Sequence, residues 1–242
     1  MNYDVQKFAD NLARFNRGYS LPEKFADFCQ VSYLSLSLQA PRDEDHDDAK
    51  RKLLAETFDK YDDPAEQVME FFGELLGQVI EALSQGQRDF LGEVAEEINI
   101  LNPRLGQFFT PYSISQMTAH ALIGASFYEK IDHTGYVSVL EPAIGSGSLA
   151  LAIAELLDER DYSPSSCLWI EGVELNRTAF HMAYIQLALR GLSGRIVHGN
   201  SITQEVYSYD ILPATVNFFD THGEEAFTNM LRAKAFDILP QS

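Results

Sequence analysis

The sequence predicts an α/β fold with a parallel sheet, preceded by a helical N-terminal part. After residue 100, short runs rich in β-branched and aromatic residues alternate with runs of helical pattern, which is typical of βαβ units. Before residue 100, only helical patterns occur. We therefore expect an N-terminal helical domain at residues 1–100 and an α/β domain at residues 101–242.

The clearest N-terminal helix begins near residue 64. Asp63 is a candidate N-cap, and Pro64 suits the first helical position. From Val68 to Leu83 the apolar residues recur at helical spacing, so we expect one buried face. Further helical patterns lie at 3–16, 22–38, 47–60 and 88–98.

The second part of the chain predicts alternating strands and helices. The predicted strands lie at 136–140, 167–173 and 195–199, and the predicted helices at 113–127, 147–159 and 176–190. Ligands of open α/β sheets bind beyond the carboxyl ends of the strands. The residues directly after each strand are therefore the candidate site.

Glycines and polar side chains follow these strands. The first strand leads into EPAIGSG at 141–147, where glycines allow a tight turn close to a ligand, although such turns also occur for structural reasons. Glu174 could bind ribose hydroxyls or cap the next helix, and Asn200 could meet an adenine edge or make a turn. Three suitable groups in order favour a nucleoside-containing ligand.

The charge balance is strongly acidic. The chain has 36 Asp and Glu against 18 Lys and Arg, a net charge of −18. Nucleic-acid binding draws most of its affinity from basic residues, so we expect this chain to reach DNA only through a basic partner protein, or not to bind it.

Other signals point to a cytoplasmic protein without a metal site. No run approaches the roughly 18 apolar residues of a membrane span, and the N-terminus lacks signal-peptide character. Cys29, Cys167 and the six histidines show no metal-ligand spacing, so we expect both cysteines to be buried free thiols.

Four segments together resemble a known family. GQFFTP (106–111), EPAIGSG (141–147), GVELNRTAFHMAYIQLALRG (172–191) and HGNSIT (198–203) resemble the γ-class N6-adenine DNA methyltransferases. The likeness is strongest to the modification subunits of type I restriction systems and to short plasmid and phage relatives. It implies a Rossmann-like fold that uses S-adenosylmethionine, with the helical domain of those subunits at the N-terminus.

The resemblance also assigns roles in binding S-adenosylmethionine. Phe108, Thr110 and Pro111 would wrap its methionine and sulfonium end, and the glycine loop would lie beneath its methionine part. Glu174 would bind the ribose, and Asn200, where relatives more often have Asp, would meet the adenine. The predicted cofactor-binding residues are Gln107, Phe108, Thr110, Pro111, Glu141, Pro142, Ala143, Gly145, Ser146, Gly147, Glu174, Asn200 and Ser201.

The catalytic tetrad of this family is missing from the sequence. In the family, Asn/Asp/Ser-Pro-Pro-aromatic holds the flipped-out adenine, but none of the nine prolines here adjoins another. The segments 235–242 (AFDILPQS) and 216–220 (VNFFD, with Asn217 and Asp220) are weak candidate remnants. The short stretch after Thr203 predicts a truncated fold, and no catalytic residue is assigned.

Two functions therefore stay open. The first is an S-adenosylmethionine-dependent DNA adenine methyltransferase that works with a partner, as a restriction-modification subunit does. The second is a catalytically silent homologue that acts as a protein-binding or regulatory module in a restriction or anti-restriction context. A DNA-mimicking acidic surface is a third, weaker hypothesis.

Overall fold

The computed structural model describes residues 5–15, 18–40, 44–86, 88–100 and 110–232. Helices make up the N-terminal part as predicted. They are α1 (Val5–Arg14), α2 (Leu21–Ser37), α3 (Glu44–Phe58), α4 (Ala65–Ser84) and α5 (Phe90–Glu97). Helix α4 has Pro64 as its N-cap, so the assignment of Asp63 to that position is wrong by one residue.

The remaining elements alternate between strand and helix. The strands are β1 (Val137–Glu141), β2 (Leu168–Glu174), β3 (Ser193–Asn200) and β4 (Glu205–Ile211). The helices are α6 (Tyr112–Leu122), α7 (Ala125–Thr134), α8 (Ser148–Asp158), α9 (Pro164–Cys167), α10 (Arg177–Leu189) and α11 (Thr215–Arg232). The helix predicted at 113–127 is thus two helices, because Ile123 adopts an extended backbone and Gly124 caps α7.

A four-stranded sheet in the order β1-β2-β3-β4 lies at the centre of this part. Strand β1 pairs in parallel with β2 and β2 in parallel with β3, while β4 is antiparallel to β3. Every residue of β2 and β3 except the last is buried, so these strands have both faces covered. The α/β fold with Rossmann-like parallel strands and N-terminal helices is confirmed.

The helical part and the sheet share one apolar core. Buried residues from Phe8 in α1 to Leu212 after β4 form one contact cluster. Tyr33 of α2 stacks on His181 of α10, with ring centroids 4.5 Å apart. The expected boundary near residue 100 adjoins residues 101–109, which lie outside the described ranges, so the division into two domains stays a prediction.

Helix α11 crosses the edge of the sheet where the parallel strands begin. Phe218 packs against Trp169 at the start of β2 and against Tyr136, which directly precedes β1. Gly223, with φ 80°, breaks the helical backbone within α11. Within the described ranges, every helix is too short or too polar to cross a lipid bilayer.

Candidate functional site

The ends of β1, β2 and β3 lie side by side at one edge of the sheet. Glu141, Glu174 and Asn200 are the last residues of these strands. The Glu174 carboxylate extends across this edge, and its Oε2 accepts a hydrogen bond of 2.9 Å from the Gly145 backbone N–H. Glu174 therefore joins the end of β2 to the loop after β1.

The loop after β1 depends on its two glycines. Gly145 has φ 59° and Gly147 has φ 96°, a region that side chains with a Cβ disfavour. The Ile144 N–H donates to the Val173 carbonyl, which holds the loop against β2. Gly147 then caps α8 without a side-chain hydrogen bond, so the first turn of α8 presents N–H groups that favour a ligand carboxylate.

A cleft of about 210 Å³ opens above this loop. Pockets for whole drug-sized ligands are commonly about 300–1,000 Å³, so this cleft fits only part of such a ligand. Its lining does not include Glu174 or Asn200. The cleft residues are Thr110, Ser115, Thr118, Glu141, Ala143, Ile144, Gly145, Ser146, Ser148 and Leu149.

Glu174 and Asn200 also bond to the protein's own backbone. Glu174 Oε1 accepts from the Asn176 N–H, and Asn200 Oδ1 accepts from the N–H groups of Ile202 and Thr203. A carboxylate oxygen has two acceptor positions, and an amide side chain also has two donors. Both partly exposed side chains therefore keep capacity for a ligand. The turn-making role that the sequence left open for Asn200 is present.

Two apolar side chains beside these polar groups were missed by the sequence analysis. Leu175 directly follows Glu174 and is 56% exposed, and Ile202 lies two residues after Asn200 and is 92% exposed. Exposed aliphatic side chains that flank polar groups can sandwich a flat ring. The available signal was their position directly after the ends of two neighbouring strands.

The predicted site residues are only partly brought together. Thr110, Glu141, Ala143, Gly145 and Ser146 line one cleft. Gln107 and Phe108 lie outside the described residues. The cofactor-binding role of the whole set stays a prediction. Four other predicted residues lie outside the cleft lining. Pro111 is the N-cap of α6, and Gly147 is the N-cap of α8. Pro142 is exposed beside the cleft, and Ser201 follows Asn200 in the turn after β3.

The candidate remnants of a catalytic group do not join this site. Asn217 and Asp220 lie in α11, at the opposite edge of the sheet, because Phe218 between them packs against the strand starts. The segment 235–242 lies outside the described residues. The structure therefore gives no support to Asn217 or Asp220 as a group that contacts the substrate.

His181, His198 and both cysteines are buried. Burial lowers the pKa of His181 to about 3, and burial also lowers the pKa of His198. Cys29 and Cys167 are buried free thiols, as predicted, and burial raises both of their pKa values. In the part of the chain that the structure describes, no three His, Cys, Asp or Glu side chains form a group that could hold a metal ion.

The fold and the glycine loop define a class of α/β proteins that bind a nucleoside-containing ligand at the strand ends. Residues 87–230 match the model of the N-6 DNA methylase family, which is more than half of the chain, so the chain belongs to that family. S-adenosylmethionine is the cofactor that this membership implies. The spare acceptor positions of Glu174 suit a ribose, and the start of α8, where the Gly147 cap gives no side-chain hydrogen bond, suits a carboxylate.

Comparison with solved structures finds a structure assigned to the class I S-adenosylmethionine-dependent methyltransferases, from Listeria monocytogenes. It is 16% identical, the alignment covers 80% of this chain and 52% of that one, and the TM-score is 0.39. This chain thus spans about half the length of that protein. No curated protein matches significantly.

Proposed function

We propose that this chain binds S-adenosylmethionine across the ends of β1, β2 and β3 and acts as the donor-binding part of an N6-adenine DNA methyltransferase. The observation that carries the proposal is the Glu174 carboxylate, which lies between the end of β2 and the glycine loop. When bound, the cofactor supplies an electrophilic methyl group on a positively charged sulfur.

The described residues suit separate parts of this ligand. The Glu174 carboxylate would accept from the ribose hydroxyls, and Leu175 and Ile202 would cover the two faces of the adenine. The Asn200 amide would donate from Nδ2 to a ring nitrogen, since its Oδ1 already accepts two hydrogen bonds. Glu141 lines the cleft and would favour the positive charge of the methionine end.

We further propose that another polypeptide holds the target base. The adenine N6 lone pair is delocalised into the ring, so methyl transfer needs groups that bind the amino hydrogens of a flipped-out base. Among the described residues, the strand ends offer no such set beyond the groups assigned to the cofactor. The net charge of −18 likewise suits a basic partner that contacts the DNA.

Labelled S-adenosylmethionine tests both parts of this proposal. We expect equilibrium dialysis to show binding to the isolated chain, with competition by S-adenosylhomocysteine but not by adenosine triphosphate. We expect no methyl incorporation into DNA by the chain alone, and incorporation only when a modification complex is reconstituted. Failure to bind the cofactor would remove the first part, and activity of the isolated chain would remove the second.

A silent, protein-binding homologue is the second candidate function. It is favoured by the backbone hydrogen bonds that Glu174 and Asn200 already accept, because such bonds stabilise the loops without any ligand. In that case S-adenosylmethionine would not raise the melting temperature, and copurification with a modification complex would be unaffected by Glu174→Ala. A rise in melting temperature with cofactor would exclude a homologue that keeps only the fold, and methyl transfer by a reconstituted complex would exclude a silent one that keeps the pocket.

A further inference from the structure

A buried carboxylate from the N-terminal part contacts the glycine loop. Asp89 precedes α5 and is only 3% exposed, and its Oδ2 accepts a hydrogen bond of 2.8 Å from Ser146 Oγ. Ser146 lies between Gly145 and Gly147, the two residues with positive φ. The part of the loop backbone with the greatest conformational freedom is therefore held in place by Asp89, which lies 57 positions earlier in the chain.

Gln186 of α10 completes this contact. Its Nε2 donates to Asp89 Oδ1 and to the Ser146 carbonyl, each at 2.8 Å, and its Oε1 accepts from the Leu91 N–H. Gln186 and Ser146 are also almost fully buried. Burial raises the pKa of the Asp89 carboxyl, against the hydrogen bonds that Gln186, Ser146 and Gly92 donate to it. Removing the polar group of Asp89, Ser146 or Gln186 would therefore leave buried polar atoms of the other two without a hydrogen-bond partner.

Gly92 allows Asp89 to adopt this position. The Gly92 N–H donates to Asp89 Oδ1 at 3.2 Å, so the carboxylate folds back over the first turn of α5. A Cβ on Gly92 would lie 2.4 Å from Asp89 Oδ2. The sequence therefore places a glycine where the carboxylate needs the space.

A second, partly buried contact joins the same region without touching the loop. Glu155 of α8 accepts hydrogen bonds from Arg88 Nε, Tyr112 Oη and Gln116 Nε2. It links the segment before α5 to α6 and α8, seven residues beyond the start of α8 at Ser148. This contact is a matched control for the Asp89 contact.

We propose that Asp89 is a positioning residue for the glycine loop and that it couples the packing of α5 against α10 to the affinity for S-adenosylmethionine. The inference rests on the proposed function for the identity of the cofactor. The contact between Asp89 and Ser146 fixes the loop in the conformation in which the Gly145 N–H donates to Glu174 and Ser148, at the start of α8, lines the cleft. Loosening the α5 contact would therefore weaken binding without any change in a cofactor-contacting side chain.

Calorimetric titration with S-adenosylmethionine on five variants tests the coupling. Asp89→Ala and Ser146→Ala should each weaken binding about tenfold, the usual scale of one buried hydrogen bond, and the double variant no further than either. Asp89→Asn should restore near wild-type affinity, because its amide keeps an acceptor for Gln186 and can donate to Ser146 Oγ. Glu155→Gln should lower the melting temperature with unchanged affinity. Equal affinity losses in Asp89→Ala and Glu155→Gln would overturn the proposal.

Hydrogen exchange without cofactor separates this inference from the proposed function. In Asp89→Ala, the backbone amides of residues 143–148 should exchange faster than in wild type, and in Glu155→Gln they should not. If the wild-type chain bound no S-adenosylmethionine, the proposed function would fail while this readout would still decide the role of Asp89. Unchanged loop exchange in Asp89→Ala would overturn the positioning role.

Discussion

The exposed side chain of Ile202 gives a prediction that separates binding from folding. Ile202 is 92% exposed, so its removal should leave the free energy of unfolding nearly unchanged. Full burial of an isoleucine side chain stabilises by about 2 kcal/mol. An adenine ring that lies against one side of Ile202 would bury about half of this side chain. We therefore expect Ile202→Ser to cost about 1 kcal/mol of binding free energy, or about fivefold in Kd.

Calorimetric titration with S-adenosylmethionine measures this change directly. The backbone N–H of residue 202 still donates to Asn200 Oδ1 in the variant, so the turn after β3 is preserved. Met69→Ser is the matched control, because Met69 is 56% exposed on α4 of the N-terminal helices. Equal Kd values for wild type and Ile202→Ser would refute the adenine position, and so would an equal loss in Met69→Ser.

Three further predictions concern stability, each measured by urea unfolding. Gly147→Ala should lower the free energy of unfolding by about 1–2 kcal/mol, because φ is 96° there and a residue with a Cβ is strained in that region. An unchanged urea midpoint would show that the loop adapts. Arg195→Met should cost about 3–5 kcal/mol, because it leaves buried Glu171 without its ion-pair partner; a loss under 1 kcal/mol would contradict a buried pair. The buried His181, with a pKa of about 3, stays neutral in the fold while the unfolded chain gains a proton below about pH 6.5. The free energy of unfolding of the wild type should thus fall by about 2 kcal/mol from pH 7 to pH 5. It should fall less in His181→Phe, and an equal fall in the two proteins would contradict the neutral buried His181.

Strands β1 to β3 and most helices were predictable because their signals are local, whereas β4 and α11 were not predicted. Strand β2 was predicted at 167–173 and lies at Leu168–Glu174, and α10 was predicted at 176–190 and lies at Arg177–Leu189. Strand β2 follows from an apolar run, and α10 follows from an apolar run and a cap residue, since the Asn176 side chain accepts from the Ala179 N–H. The break between α6 and α7 had a local signal in Gly124, which the apolar pattern outweighed.

The connections that support the site were not predictable, because they join distant segments. Asp89 and Gln186 lie 97 residues apart, and neither has a local pattern that indicates a buried hydrogen bond. The antiparallel pairing of β4 with β3 likewise depends on backbone contacts that composition does not specify. The order of the strand-end groups and a contact of Glu174 with the start of α10 were predictable, but the hydrogen bond from the Gly145 N–H to Glu174 was not.

Isothermal titration of S-adenosylmethionine into wild type and Glu174→Ala shows whether the cofactor ribose lies at the end of β2. Glu174 joins the end of β2 to the Gly145 N–H, at the position where the ribose would lie. We expect micromolar-range binding by wild type and a loss of at least about tenfold in the variant, with the variant still folded by circular dichroism. Unchanged affinity in a folded Glu174→Ala variant would contradict a cofactor held across the ends of these strands.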